Sequence, residues 1–286
     1  MFEFVYRYDP NDMHPKPRPA DPGEARRRLD EGNARFAALL ASAPDAPEAE
    51  RRVVVHDDLW DAPVGDVLVQ QPFAAVLGCA DARVPTEMVF LEGFNDLFVV
   101  RVAGNVLGSE CLGSLDYALT NLADGLKLVV VLGHSRCGAV TAAVDSFLDP
   151  EQYLATAPTH PIRAVVDKIM VSVRAGQQAL ESAWGPAVAR HPGYRRALIE
   201  TAVGLNTALT AATVRQEFRD QFGPAREVVY GVYDLTTRRV GVPGGVGGGS
   251  PVAPGLATAP ADLAGFHRLG VSLATSAAAT AALGVA

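Results

Sequence analysis

The chain has 286 residues, of which 49% are hydrophobic and 20% are charged, and its formal net charge is −7. This length and apolar content support a sizeable core, and we expect one main domain with peripheral segments. The acidic balance argues against a nucleic-acid partner, which would favour a basic face.

The cysteine content and the N-terminus indicate a compartment. The chain has three cysteines, Cys79, Cys111 and Cys137, and this small, odd number does not suit a disulfide framework. It fits a reducing environment with thiolates bound to metal. The N-terminus lacks the basic and apolar regions of a secretory signal. No apolar stretch is expected to approach the roughly 20 residues that span a bilayer. We therefore expect a cytoplasmic protein without a membrane partner.

Before the main domain, five prolines between residues 10 and 22 predict an extended N-terminal arm over residues 1–22. An apolar stripe at helical spacing predicts a helix over residues 23–43, and a polar loop over residues 44–50 follows it. Residues 51–56 and 66–70 are weaker strand predictions.

From residue 73 onwards, short apolar runs alternate with helical patterns. The predicted strands are residues 73–77, 96–102 and 128–132, and the predicted helices are residues 85–90, 112–123 and 138–147. A loop at 150–160, two longer helices around 162–173 and 198–218, and a strand at 227–234 follow. This alternation predicts right-handed parallel crossovers.

The resulting fold class is α/β, with a mainly parallel central sheet flanked by helices, an N-terminal helical arm and a C-terminal helical and Gly-rich extension. We expect the main domain over residues 23–243. Residues 244–286 form a Gly-rich linker and an Ala-rich tail. The composition leaves open whether that tail packs on the domain or contacts a partner.

Two motifs at strand ends carry the chemistry. Cys79 follows the strand at 73–77, and His134 and Cys137 follow the strand at 128–132. Open α/β sheets place their sites at such ends. Two thiolates and an imidazole suit Zn²⁺, and three protein ligands leave a fourth position free, as in catalytic sites. The alternatives are buried structural thiols and a closed structural zinc site.

Asp81 and Arg83 alternate with Cys79, so all three side chains are expected to face one site. Arg83 would hold the Asp81 carboxylate through a two-pronged ion pair and keep it from closing the fourth position of the metal. In a closed site Asp81 would instead be the fourth ligand. Because two thiolates cancel the charge of the ion, we expect activity to rise into the alkaline range.

The remaining candidate residues have more ordinary interpretations. Cys111 is expected to be a core residue, and Arg136 is expected to point outward. Arg101 and Asn105 would either line the cleft or fix the turn after their strand. The other histidines lack ligand spacing and are expected at the surface or at helix caps: His14, His56, His160, His191 and His267.

These motifs resemble the β-class carbonic anhydrases, which are zinc lyases. The resemblance covers residues 23–240 and is carried, in order, by LDEGNARF (29–36), GCADARVP (78–85), FVVRVAGN (98–105), GHSRCG (133–138) and VYGVYD (229–234). It implies that Cys79, His134 and Cys137 bind zinc and that Asp81 and Arg83 form the catalytic pair. In some members the equivalent of Asp81 binds zinc in a closed, inactive state.

The resemblance also implies reversible hydration of CO₂ to bicarbonate and a proton by zinc-hydroxide attack, in a homodimer or a dimer of dimers. Two residues depart from the family pattern: Ala82 replaces a serine, and Glu92 stands near a usual glutamine. These departures leave the rate and the substrate open. The alternatives are a carbonyl sulfide or carbon disulfide hydrolase on the same scaffold, and a non-catalytic, zinc-stabilised oligomeric binding protein.

Overall fold

The computed structural model describes residues 3–7, 17–41, 52–56, 67–151, 153, 161–244 and 252–285, with the side chains of 56 and 252–254 excepted. Several predictions lie outside this set. They are the arm over residues 8–16, the loop at 44–50, most of the loop at 150–160, the linker over residues 245–250, and the surface positions of His14, His56 and His160.

A small parallel sheet forms from β1 (Glu3–Arg7) and β2 (Arg52–His56). The strand predicted at 51–56 is therefore confirmed as β2. The strand predicted at 66–70 is wrong over the described residues 67–70, which form no strand. Val67 is 92% exposed and Val69 is 68% exposed, so this stretch has no apolar face to bury.

The central sheet contains seven strands among the described residues. In chain order they are β3 (Ala74–Gly78), β4 (Leu97–Arg101), β5 (Leu128–His134), β6 (Glu227–Tyr233), β7 (Val240–Pro243), β8 (Val252–Pro254) and β9 (Ala257–Thr258). The spatial order is β4-β3-β5-β6-β7-β8, and β9 pairs with β6. Strands β3 to β6 are parallel, and the later strands are antiparallel. The mainly parallel sheet is confirmed, whereas β1 and β7 to β9 were not predicted.

The helices in chain order are α1 (Pro22–Ala41), α2 (Thr86–Phe90), α3 (Ser109–Asn121), α4 (Gly138–Leu148), α5 (Arg163–Trp184), α6 (Tyr194–Glu217), α7 (Leu263–Ala274) and α8 (Ala277–Ala282). Each helix predicted upstream of residue 220 is confirmed, although the helix predicted around 162–173 continues to Trp184. The sheet separates two apolar layers, because alternate residues of its buried strands face opposite sides. One layer contains side chains of α1 and α2, and the other contains those of α3 and α6.

Helix α6 corrects the expectation that no apolar stretch reaches membrane-spanning length. This 24-residue helix is long and apolar enough by composition to span a bilayer, but 78% of its most apolar window is buried inside the protein. Its side chains pack against α4, α5 and the sheet. The apolar composition of α6 therefore reflects its place in the protein core.

The C-terminal extension packs on the domain. Helices α7 and α8 lie against α5 and α6, where Leu273 and Ala279 are buried. The indole Nε1 of Trp184 donates a hydrogen bond to the carbonyl of Ala274 at 2.9 Å. An added Cβ at Gly193 would overlap the carbonyl of Ala282, so the two segments are in close backbone contact. The described part of the Ala-rich tail is thus packed, and the domain boundaries stay predictions.

The chain order of the strands creates a topological switch point. From β3 the chain moves outward to β4 and then returns across β3 to β5, which lies on its other side. Gly78 of β3 pairs with Leu132 of β5, so these two neighbouring strands end side by side. Ligands of open α/β sheets bind at the carboxyl ends of strands at such a point.

Candidate metal centre

Two loops at the switch point bring three metal-ligating side chains together. The first ligand loop, residues 79–83, follows β3, and the second ligand loop, residues 134–138, begins at the last residue of β5. The ligating atoms of Cys79, His134 and Cys137 lie within 4.8 Å of one another, and all three residues are buried. The two sulfur atoms are 4.0 Å apart. This is a group that can hold a metal ion.

The His134 ring is oriented as a metal ligand requires. Its Nδ1 lies 3.0 Å from the carbonyl oxygen of Ser135, and because that oxygen can only accept, Nδ1 carries the proton. Nε2 therefore presents a lone pair. This nitrogen is buried and has no hydrogen-bond partner among the described residues. A buried, unpaired acceptor is costly, and a metal ion would relieve that cost.

The two thiols also fit a cation. The hydrogen bond with Cys137 lowers the pKa of the Cys79 thiol, so this sulfur ionises readily. The same contact, together with burial, raises the pKa of Cys137, because a second thiolate would lie beside the first. A divalent ion would remove this repulsion and favour ionisation of both sulfurs. The donor set of two sulfurs and one imidazole nitrogen suits zinc.

Asp81 and Arg83 form a two-pronged ion pair beside the three ligands. Arg83 donates from Nε to Asp81 Oδ1 at 2.9 Å and from Nη2 to Oδ2 at 2.7 Å. The Arg83 backbone N–H also donates to Oδ1 at 2.9 Å. These hydrogen bonds hold the pKa of Asp81 well below its usual range and raise that of Arg83. Asp81 Oδ2 is 3.7 Å from His134 Nε2, so the carboxylate borders the ligand group.

Glu92 forms an ion pair with a residue of helix α1. Its carboxylate accepts hydrogen bonds from Arg28 on α1, with Nη2 at 2.5 Å and Nε at 3.0 Å from the two oxygens. Arg28 also lies 3.0 Å from Asp96 and 4.4 Å above the Phe73 ring. Glu92 is 2% exposed. This carboxylate therefore belongs to a buried ion cluster that joins α1 to the sheet.

The other candidate residues lie where they were expected, in the core or at the surface. Cys111 is a residue of α3 and is buried in the core, and Arg136 is exposed on the second ligand loop. His267 is exposed. His191 is also exposed, and its Nδ1 accepts a hydrogen bond from the backbone N–H of Gly193 at 3.0 Å.

Two contacts to the first ligand loop were not predicted. The backbone N–H of Gly104 donates to Cys79 Sγ at 3.3 Å. Arg101 donates to the backbone carbonyls of Cys79 and Asp81. The only feature of the sequence that pointed to these contacts was the position of both residues near the end of a predicted strand. Their contacts depend on how that strand pairs with β3.

Comparison with known proteins agrees with this arrangement. A sequence model described as carbonic anhydrase matches residues 74–240, which include both ligand loops. The chain belongs to the β-carbonic anhydrase family. It is 39% identical over 158 residues to carbonic anhydrase 2 of Mycobacterium tuberculosis, which covers 55% of this chain and 67% of that protein.

Two further proteins are similar to this chain. The chain is 36% identical over 160 residues to a carbonic anhydrase of Mycolicibacterium smegmatis, which covers 56% of this chain and 68% of that protein. A solved structure of a Coccomyxa β-carbonic anhydrase in complex with acetazolamide is 23% identical, with a TM-score of 0.46. That alignment covers 60% of this chain and 71% of the Coccomyxa chain.

Proposed function

We propose that this protein is a zinc-dependent carbonic anhydrase, a lyase that catalyses reversible hydration of CO₂ to bicarbonate and a proton. The observation that carries the proposal is the meeting of three metal-ligating side chains with an ionised carboxylate at one edge of the sheet. A site for a structural zinc ion would not need that carboxylate. Family membership supports the same reaction.

The residues proposed to hold zinc are Cys79, His134 and Cys137. Their donor atoms are buried and close together, and the Nε2 of His134, which has no hydrogen-bond partner in the described part of the chain, fits a ligand role. A Zn²⁺ ion bound there would act as a Lewis acid toward water at its remaining coordination position. With two thiolates in the ligand set, we expect hydration activity to increase from neutral into alkaline pH.

Asp81 is the proposed catalytic residue, and Arg83 is its partner. Because Arg83 keeps the carboxylate ionised, Asp81 Oδ2 is available as a hydrogen-bond acceptor beside the ligand group. We propose that this oxygen accepts a hydrogen bond from the attacking hydroxide and thereby orients its lone pair toward CO₂, while the carboxylate itself stays ionised. The two hydrogen bonds from Arg83 also hold the carboxylate on its own side of the site.

The test is stopped-flow CO₂ hydration by zinc-loaded protein across neutral to alkaline pH, beside Asp81→Ala and Asp81→Asn variants. We expect turnover that rises with pH, and a decrease of about 10²-fold or more in both variants, because the attacking hydroxide would no longer be oriented toward CO₂. Zinc content is measured on the same samples. One equivalent of zinc without CO₂ turnover at any pH would contradict the proposal and leave sulfur-containing substrates to assay.

We also propose that the chain assembles as a homodimer or a dimer of dimers, as its family resemblance implies. Light scattering on the zinc-loaded protein would give two or four times the chain mass. A monomer mass at micromolar concentration would contradict this part of the proposal without affecting the hydration test.

A further inference from the structure

We infer that Arg101 is a positioning residue of the metal centre, which fixes the backbone of the first ligand loop on both sides of Ala80. This inference rests on the proposed function for its catalytic consequence. Arg101 Nε donates to the carbonyl of Cys79 at 3.1 Å, and Nη2 donates to the carbonyl of Asp81 at 2.6 Å. One side chain thus holds the peptide of a metal ligand and the peptide of the catalytic carboxylate.

The arginine is itself fixed by strand pairing. Arg101 is the last residue of β4, and it pairs with Gly78, the last residue of β3. The ladder continues beyond both strands, because Val102 donates to Gly78 at 3.0 Å and Ala80 donates to Val102 at 3.3 Å. The backbone of Arg101 is therefore fixed opposite Gly78, the residue directly before the first ligand loop.

The contact needs the geometry of a guanidinium group. Its donors diverge in one plane and reach two carbonyls that are two residues apart, whereas the ammonium of a lysine is a single centre. The segment after Arg101 adds a third contact, because Gly104 donates its N–H to Cys79 Sγ at 3.3 Å. Gly104 has a φ of +66°, and an added Cβ would lie 2.8 Å from Ile169 Cδ1. A glycine is required there.

Arg83 and Arg101 contact different groups of Asp81. Arg83 binds the carboxylate oxygens, and Arg101 binds the backbone carbonyl. The loop needs this support because Ala80, Ala82 and Arg83 are all exposed, so it has few buried side chains of its own. Without Arg101, the peptide groups that orient the side chains of Asp81 and Cys79 would sample other conformations. Zinc would then be lost faster, and the turnover rate would decrease.

The experiment compares Arg101→Gln and Arg101→Lys with the wild type, using Arg174→Gln as a matched control at an exposed arginine on α5. Three quantities are measured: the rate of zinc loss to a chelator, the visible absorption of the cobalt(II)-loaded protein, and kcat and KM for CO₂ hydration. For Arg101→Gln we expect zinc loss about 10- to 100-fold faster, altered cobalt bands, and a decrease in kcat of about 10-fold with little change in KM.

Arg101→Lys is expected to fall between the wild type and Arg101→Gln in all three quantities, and Arg174→Gln to match the wild type. If Arg101→Gln fails to fold by circular dichroism, the Arg101→Lys variant supplies the test. Wild-type zinc loss and wild-type cobalt bands in the folded Arg101 variants would overturn the inference. The chelator and cobalt measurements need no turnover, so absence of CO₂ hydration in the wild type would refute the proposed function alone.

Discussion

The two ligand loops of this protein are supported in different ways. The first ligand loop is largely exposed beyond Cys79, and side-chain hydrogen bonds from Arg83 and Arg101 hold it. The second ligand loop is largely buried and is held by the sheet: the Ser135 N–H donates to the Tyr233 carbonyl at 3.0 Å. Changes in the first loop should therefore affect the site, whereas changes at the packed positions of the second loop and of the strand end before it should affect the stability of the whole domain.

The largest expected effect is that of Gly133→Ala, directly before the second loop. An added Cβ would overlap Thr207 Oγ1, and Thr207 is fully buried on α6. Overpacking of this kind costs about 3 kcal/mol, and we expect that loss in the free energy of unfolding measured with urea.

Gly138→Ala is the matched control for that change. Among the described residues, no neighbouring atom lies within 4 Å of an added Cβ at Gly138, so the free energy of unfolding should change by less than about 0.5 kcal/mol. Adding Thr207→Ala to Gly133→Ala should recover part of the loss. Equal stability of the Gly133 and Gly138 variants would contradict the view that the second loop is fixed by core packing.

A smaller effect is expected for Ser135→Ala. The Ser135 hydroxyl accepts a hydrogen bond from the Leu235 N–H at 2.9 Å, and Ser135 is 7% exposed. Its removal leaves a partly buried N–H without this partner and should cost about 1–2 kcal/mol in the free energy of unfolding. Ser114→Ala on α3 is the control, since the Ser114 hydroxyl bonds an exposed carbonyl of its own helix. A cost no larger than that of the control would weaken the comparison of the two loops.

The smallest expected effect on stability is that of Arg83→Gln in the first loop, because this ion pair is solvent-exposed. The effect has a defined pH dependence. The folded-state pKa of Asp81 lies below its ordinary value of 3.8, so the pair stabilises the fold above that value and the stabilisation disappears as pH falls through the folded-state pKa.

Acid unfolding of the metal-free wild type and of Arg83→Gln would measure this dependence. The stability difference should be constant above about pH 5 and should shrink below pH 3.8, because protonated Asp81 no longer interacts with the guanidinium. The Asp81→Asn variant has no carboxylate to protonate at this position, so its stability should not show the loss below pH 3.8 that is attributed to Asp81. A difference between wild type and Arg83→Gln that persists at the lowest pH would mean that Arg83 stabilises the fold by other contacts.

The sequence was sufficient for the parts of the site that lie within one loop. Cys79 and Asp81 stand two residues apart, and His134 and Cys137 stand three apart, so each loop shows its own pattern. The apolar runs before them also predicted β3 and β5, because strands buried on both faces are almost continuously apolar.

Contacts between distant segments were not predictable from pattern alone. Arg101 reaches Cys79 only because β4 pairs with β3 in one register, and no local pattern states that register. From the sequence, Glu92 was only a departure near a usual glutamine, yet it pairs with Arg28, which is 64 residues away in the chain. Strand β9 has only two residues, too few to show a period.

The position of β6 has a consequence for the order of events during protein synthesis. Cys137 completes the ligand set long before Tyr233, whose carbonyl fixes Ser135, has been added to the chain. At roughly 10 residues per second, a nascent chain spends about ten seconds with all three ligands present and the second loop unsupported. A metal ion captured in that interval would be held on a loose loop and exchanged easily. Capture at full affinity is therefore a late event, which follows the docking of β6.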